Sequence, residues 1–299
     1  MSSRKNFRML LNSPEMILAP GAYDALSARI IEQQGFKAAV AGGYAACGSL
    51  LGQPDTGQSN MRDYADHYAR IAAAIEIPLF VDGDTGFGGV NNVRQMVRSF
   101  EAAGVSGLFI GDQVFPNRCG YMEGKQIIPV EEMLAKVKSA LDARRDPDLV
   151  IAVRTDAFAV DGIAAAIERA QMFMEIGADA AMVMGSDRID NFRRVKAEVP
   201  GPRLANMSHA NPHGWPTLSE YEAAGADFVT FPSATLFAAV GAVTRTLQAL
   251  QADRNFDVVK GDLATLPEYY ELVRLSAQTD KEAEYLSAAR TAIEAVRSR

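Results

Sequence analysis

The run Leu79-Phe80-Val81-Asp82-Gly83-Asp84-Thr85-Gly86-Phe87-Gly88 decides how the rest of the chain is read. Its first residues are β-branched and aromatic, the composition of a buried strand. Two aspartates follow at i and i+2, then glycines. Residues two apart on a strand face the same side, so both carboxylates leave the strand's C-terminal end together. Two acids that close repel each other unless a cation lies between them or one keeps its proton. Oxygen ligands at a strand end suit Mg²⁺ or Mn²⁺, which take one or two carboxylates and retain several waters. The competing expectation is a polar turn that caps the next helix.

Composition narrows the setting. The chain has 299 residues, 48% hydrophobic and 22% charged, an ordinary globular balance. That length accommodates two domains or one α/β barrel. A net charge of −7 argues against nucleic acid or an anionic membrane as partner. No uninterrupted apolar stretch has spanning length, and Met1-Ser2-Ser3-Arg4-Lys5 carries no signal-peptide pattern. Two cysteines, Cys47 and Cys119, fit a reducing cytoplasm better than a disulfide framework.

Outward from the opening run, short apolar strands alternate with helical periodicity. Strands are predicted at Met16–Ala19, Ala38–Ala41, Leu79–Asp82, Gly107–Ile110, Val150–Arg154, Ala180–Met184, Arg203–Met207 and Phe228–Phe231. Helices are predicted between them, the longest at Met61–Ile75, Val130–Ala143, Ile163–Ile176 and Ala234–Leu250. A local repeat supports the alternation. Gly35-Phe36-Lys37-Ala38, Gly104-Val105-Ser106-Gly107, Gly177-Ala178-Asp179-Ala180 and Gly225-Ala226-Asp227-Phe228 each place a helix-stop glycine before a strand. Such βα alternation over about 250 residues is the signature of a (β/α)₈ TIM-type barrel. A doubly wound sheet is the alternative, but it gives no reason for eight units. The expected organisation is a barrel domain over residues 1–250 and C-terminal helices over 251–299. The latter carry apolar residues such as Tyr269, Leu272, Leu286, Ile293 and Val296, which need another surface, such as a second subunit.

Active sites of such barrels lie at the strands' C-terminal ends. Those ends hold Tyr23 and Asp24, Gly42 and Gly43, Asp82 and Asp84, Asp112, Arg154 and Asp156, then Asn206 and His209. An arginine at a buried strand end needs an anion, and its planar fork suits a carboxylate. For Arg154 that anion is a substrate, or else Asp84 or Asp156. Gly42 and Gly43 allow close backbone approach to an anion, or form a plain tight turn. Cys119 stands in a polar loop beside Arg118, where its thiolate is favoured. It reads as an acid or nucleophile, or as an inert thiol. Cys47 reads as packing, and His67 as part of a solvated helix face. His209 and His213 follow the seventh strand without a zinc spacing. Tyr23 and Tyr44 are the candidates for a base.

The strings Ala22-Tyr23-Asp24-Ala25-Leu26-Ser27-Ala28, Asp82-Gly83-Asp84-Thr85-Gly86-Phe87-Gly88, Arg118-Cys119-Gly120, Glu123-Gly124-Lys125 and Arg154-Thr155-Asp156-Ala157 resemble the isocitrate lyase/phosphoenolpyruvate mutase superfamily. The likeness is greatest to its branch of 2-methylisocitrate lyases, 2,3-dimethylmalate lyases and carboxyphosphonoenolpyruvate mutases. The resemblance implies a Mg²⁺-dependent barrel, a dimer of dimers with C-terminal helices exchanged, and an α-oxo acid or its enolate on the metal. It implies Asp84 as the nearest metal ligand, Asp82 as a ligand through water and Asp55 as a third acidic position. It implies Arg154, Gly42 and Gly43 as holders of the substrate carboxylate. Asn206 would line the pocket and Cys119 would protonate the departing carbanion. The implied reaction is retro-aldol cleavage of a small 2-hydroxy di- or tricarboxylate to an α-oxo acid. The alternatives are a C–P bond enzyme or decarboxylase on the same site, and a catalytically impaired oxo acid-binding barrel. Five positions depart from the usual family residues. Tyr121 replaces a histidine among the substrate-contacting residues, and Ala39, Ala41, Gly111 and Met184 replace a tyrosine, a hydroxyl and two glutamates at the mouth.

Overall fold

A computed structural model describes residues 1–118, 124–185, 188–208, 211, 214 and 216–298. Eight strands alternate with helices: β1 (Ile17–Pro20), β2 (Ala39–Ala41), β3 (Leu79–Asp82), β4 (Gly107–Gly111), β5 (Val150–Thr155), β6 (Ala180–Val183), β7 (Arg203–Asn206) and β8 (Phe228–Phe231). The helices are α1 (Ser3–Leu11), α2 (Ala25–Gln33), α3 (Gly43–Leu51), α4 (Met61–Ala74), α5 (Val90–Ala102) and α6 (Val130–Ala143). They continue with α7 (Phe158–Glu175), α8 (Ile189–Glu198), α9 (Leu218–Ala223), α10 (Ala234–Asp253), α11 (Leu266–Leu272) and α12 (Leu275–Arg297).

All strand pairs are parallel, in the order β1-β8-β7-β6-β5-β4-β3-β2. A bridge between Gly21 and Val40 joins the two ends into a nearly closed barrel. The predicted strands are all present, some shorter than expected: β6 ends at Val183 and β7 at Asn206. Helix α3 was not expected, because Gly42, Gly43 and Gly48 dilute its pattern. Among the described residues no helix is long and apolar enough to cross a membrane.

Local chemistry explains the boundaries. Asp24 caps α2 in a reciprocal pair with Ser27, and Asn60 caps α4 with Asp63. The four repeat glycines have φ values of 75–108°, which a side chain would disfavour. Each lets the chain turn out of a helix and into the next strand.

The core has two layers. Val81, Leu108, Ile110, Val153 and Val183 face outward against helix residues such as Met96 and Phe100. Phe80, Phe109, Met182, Leu204 and Phe228 face inward, together with Val40. Helix α1 closes the N-terminal end of the barrel. Arg4 Nε donates to the Val105 carbonyl at 2.9 Å and an Arg8 Nη donates to the Leu149 carbonyl at 3.2 Å, both just before a strand. Between these anchors Phe7 inserts against Phe80 and Phe228, with ring centroids 5.5 and 5.4 Å away.

The chain divides into two compact units, Met1–Ala239 and Val240–Arg299. In the second unit Leu286, Ile293 and Val296 of α12 are exposed and share one helical stripe.

Phe7 is fully buried and plugs a barrel end, so Phe7→Ala leaves a cavity that rigid strands cannot collapse. The expected loss is about 3–5 kcal/mol in a urea melt. A loss under about 1 kcal/mol would mean that α1 is a detachable arm.

Candidate active site

The C-terminal end of β3 is built around its backbone. Gly83 N–H donates to the Phe109 carbonyl at 2.8 Å. A Cβ on Gly83 would stand 2.5 Å from that same oxygen, so only glycine fits. The chain then turns sharply, and Asp84 takes a φ of 53°. A non-glycine residue held there is strained, a condition that clusters at functional sites. Asp82 Oδ1 accepts the Asp84 N–H at 2.8 Å, and Asp84 Oδ1 accepts the Thr85 N–H at 2.6 Å. Asp82 Oδ2 accepts the Gly43 N–H at 3.1 Å.

That last bond decides between the two readings of Gly42 and Gly43. They are neither a plain turn nor simply an open anion nest. Gly42 is the N-cap of α3, and the first N–H of that helix is spent on Asp82. A helix N-terminus favours a negative charge, and Asp82 supplies one. Tyr68 donates its hydroxyl to the Asp82 carbonyl at 3.0 Å, fixing the strand end from the helix layer.

Arg154 ends the inner face of β5. Its Nε and one Nη donate to the two oxygens of Asp156 at 2.8 and 3.1 Å. Of the anions considered for it, Asp156 is thus an observed partner. Two of its five N–H donors are used there. Asp156 is fully buried and also pairs with Lys125 Nζ at 3.1 Å. Burial alone would raise its proton affinity, but Arg154 and Lys125 outweigh that and hold it below the usual carboxylate range. Asp112 does not face the mouth chemistry directly. It accepts from Thr155 Oγ1, the Asp156 N–H and Arg169 Nε at 2.7–2.9 Å, bracing the end of β5.

These strand ends open into a cavity of about 370 Å³. Asp82, Asp55, Arg154, Asn206, Gly42 and Gly43 all line it. Tyr44, Asn117, Arg118, Ser208 and Thr230 line it too, and sequence reasoning had not placed most of them. Tyr23 is not among the lining residues. It precedes α2, half-buried, with its N–H on Ser27 Oγ. Of the two tyrosines considered as a base, the cavity therefore retains Tyr44. Cys119 and Tyr121 lie outside the described residues, as do His209 and His213. His67 is 5% exposed and sits in the core rather than on a solvated face. Cys47 is buried, as expected for packing.

The departures from the family pattern also sort by face. Gly111 and Met184 border the cavities at the mouth. Ala39 and Ala41 instead join the outer core layer, while Val40 between them faces in. Strand alternation makes this unavoidable.

A narrower space beneath the main cavity adjoins Asp82, Asp84, Thr85, Gly111, Gln113 and Asn117. Two buried oxygens beside it, Asn117 Oδ1 and Thr85 Oγ1, have no hydrogen-bond partner among the described residues. Burial, then the neighbouring Asp82 charge, raises Asp84 to about 7. Burial and Asp82 raise Asp55 to about 6. Burial also raises Asp82, against the pull of Arg154 and its two N–H bonds. Among the described residues no group of three acidic, histidine or cysteine ligands is assembled. Crowded carboxylates and unpartnered oxygens fit a hydrated hard cation, which needs few protein ligands.

A carboxyl with raised proton affinity favours the folded state in its protonated form. That contribution is complete below the ordinary value of 3.8 and is lost as pH climbs through about 7 for Asp84. The metal-free protein is therefore expected to lose melting temperature between about pH 4 and about pH 7, each pH unit of displacement being about 1.4 kcal/mol. Mg²⁺ should restore more of it at the upper pH than at the lower. A calorimetric profile in Asp84→Asn that matches the wild type would remove Asp84 as the source.

The phosphoenolpyruvate phosphomutase family model matches residues 7–251. The 2,3-dimethylmalate lyase of Eubacterium barkeri is 35% identical over 285 residues, covering 95% of this chain and 99% of that protein. The structure of oxaloacetate acetylhydrolase with the inhibitor 3,3-difluorooxalacetate superposes with a TM-score of 0.89 at 32% identity, covering 95% and 97% of the two chains. Phosphonopyruvate hydrolase, solved with oxalate and Mg²⁺, gives a TM-score of 0.86 at 29% identity, covering 96% and 100%. The match over nearly the whole barrel, together with these relatives, shows that this chain belongs to the phosphoenolpyruvate phosphomutase family, within the isocitrate lyase/phosphoenolpyruvate mutase superfamily.

Proposed function

We propose that this protein is a divalent metal-dependent carbon–carbon lyase. Its substrate is a small 2-hydroxy carboxylate of the dimethylmalate type, and one product is an α-oxo acid. The observation that carries this reading is the facing of Arg154, locked by Asp156, and the carboxylates Asp82 and Asp55 across one cavity. Similarity to a 2,3-dimethylmalate lyase over nearly the whole chain supports it.

Asp82 and Asp84 would hold the cation, with Asp55 at the rim. When bound, Mg²⁺ supplies positive charge near the oxygens of the α-oxo acid. Arg154 receives the substrate carboxylate and stabilises the alkoxide that forms on the oxo-acid half when the hydroxyl proton is removed; as the C–C bond breaks, that oxygen becomes the carbonyl and the electron pair leaves with the other fragment. Asp156, Lys125 and Asp112 position Arg154 and touch no reacting atom. Tyr44, which lines the cavity and stacks on Phe237 at a 6.0 Å centroid distance, is the residue we assign to take the hydroxyl proton. Cys119, assigned from the sequence, returns a proton to the departing carbanion.

The protein is further proposed to act as a homotetramer, with the exposed stripe of α12 covered by a neighbouring copy. Light scattering at micromolar concentration should give four chains; a monomer overturns this.

Incubation of 2,3-dimethylmalate with Mg²⁺ should release an α-oxo acid in a coupled assay. Arg154→Lys keeps the charge but not the planar fork shared between Asp156 and substrate. Its kcat/KM should fall by roughly 10²–10³-fold. Near wild-type turnover in that variant would place Arg154 outside the chemistry.

A further inference from the structure

We infer that Lys136 is a positioning residue for the metal site: from the helix layer its ammonium holds the Thr85 carbonyl and so fixes the turn that aims Asp84. This rests on the reading of Asp84 as a ligand of the divalent cation. A lysine is almost never fully buried unless something inside pairs with it. Lys136 is 5% exposed, on the same helix α6 as the core residues Met133, Val137 and Ala140. Its carboxylate neighbour Glu132 is half exposed and 3.6 Å away, too far for a hydrogen bond. An ion pair so long and so open to water contributes little and does not account for burying an ammonium. Lys136 Nζ instead donates to the Thr85 carbonyl at 3.3 Å, away from water.

That carbonyl has no part in the turn's own bonding. Gly86 N–H closes the turn on the Gly83 carbonyl at 2.9 Å. The Asp84 N–H goes to Asp82 and the Thr85 N–H to the Asp84 carboxylate. These bonds are all local, and they hold Asp84 at a positive φ that a side chain resists. Relaxing that strain would swing the Thr85 peptide and the N–H that orients the Asp84 carboxylate. Among the described residues no backbone N–H reaches the Thr85 carbonyl, and Thr85 is 2% exposed. Without Lys136 the carbonyl would be buried and unpaired. Helix α6 is also tied to the start of α5, the helix that follows the turn. Ser139 Oγ donates to the Val90 carbonyl at 2.7 Å, and Asp142 pairs with Arg94. The lysine therefore pulls on the turn from an anchored helix. Outer partners that orient a ligand in this way govern metal affinity without touching the ion.

The test compares Lys136→Met, which keeps the packing and removes the donor, with Lys136→Arg, which keeps a donor. Each is read by hydrogen exchange over residues 83–87 in the metal-free protein and by calorimetric Mg²⁺ affinity. In Lys136→Met the turn should exchange about tenfold faster, as expected for losing one charged hydrogen bond. Its Mg²⁺ affinity should fall roughly 10–100-fold. Lys136→Arg should keep both near wild type, and Glu132→Gln should change neither. Wild-type turn exchange and Mg²⁺ affinity in Lys136→Met, even with a lowered melting temperature, make the lysine merely structural and overturn the inference. An equal loss in Glu132→Gln overturns it as well. Should Lys136→Met not fold, Lys136→Gln, whose amide falls short of the carbonyl, takes its place in the same comparison. If the wild type binds no Mg²⁺ while Lys136→Met loosens the turn, Lys136 holds the turn and the metal reading fails.

Discussion

Negative charge crowded at the end of one strand is the constraint on which this molecule depends. Asp82 and Asp84 leave β3 on one side because strand geometry requires it, and burial prevents water from screening them. The fold answers with fixed dipoles before any ion is involved. The N-terminus of α3 delivers the Gly43 N–H to Asp82, and the turn itself delivers the N–H groups of Asp84 and Thr85. The price is a positive φ at Asp84 and a glycine at 83 pressed against the Phe109 carbonyl. The remaining imbalance leaves Asp84 and Asp55 holding protons far more tightly than ordinary carboxyls do. A site in that condition is prepared to exchange protons for a hard cation.

The positive side of the cavity is arranged with equal economy. Arg154 cannot stand alone at a buried strand end, and Asp156 satisfies part of its fork. Asp156 in turn is fully buried, and Lys125 and the braced Asp112–Arg169 pair surround it with compensating charge and hydrogen bonds. The outcome is a guanidinium whose plane is set by the protein rather than by its ligand. Preorganisation of that kind avoids reorganisation during the reaction.

Much of this was legible in the chain. Eight apolar runs, each followed by helical periodicity and several entered from a helix-stop glycine, admit one economical architecture. Burial of both faces of a parallel strand requires apolar runs of that kind. The spacing of Asp82 and Asp84, and an arginine ending the fifth strand, marked the mouth because period-two alternation assigns faces without a structure. Alternation also exposes where the reading went too far. Ala39 and Ala41 flank Val40, so they face the helices and their lost hydroxyls do not impoverish the cavity.

Other features depended on contacts between distant parts of the chain. That Gly43 belongs to α3 and serves Asp82 joins residues 39 apart. That Asp156 rather than Asp84 accepts the Arg154 fork depends on side-chain direction at the end of β5. Tyr23 and Tyr44 look equivalent in the sequence, yet only Tyr44 reaches the cavity, because α3 begins at the barrel rim. His67 lies on an amphipathic helix whose buried arc is wider than its pattern suggests. The sequence by itself determined the barrel and the strand ends that carry charge, because both follow from local periodicity. The tertiary structure alone decided which groups neutralise one another and which wall faces the ligand, because those depend on distances across the barrel that local periodicity does not encode.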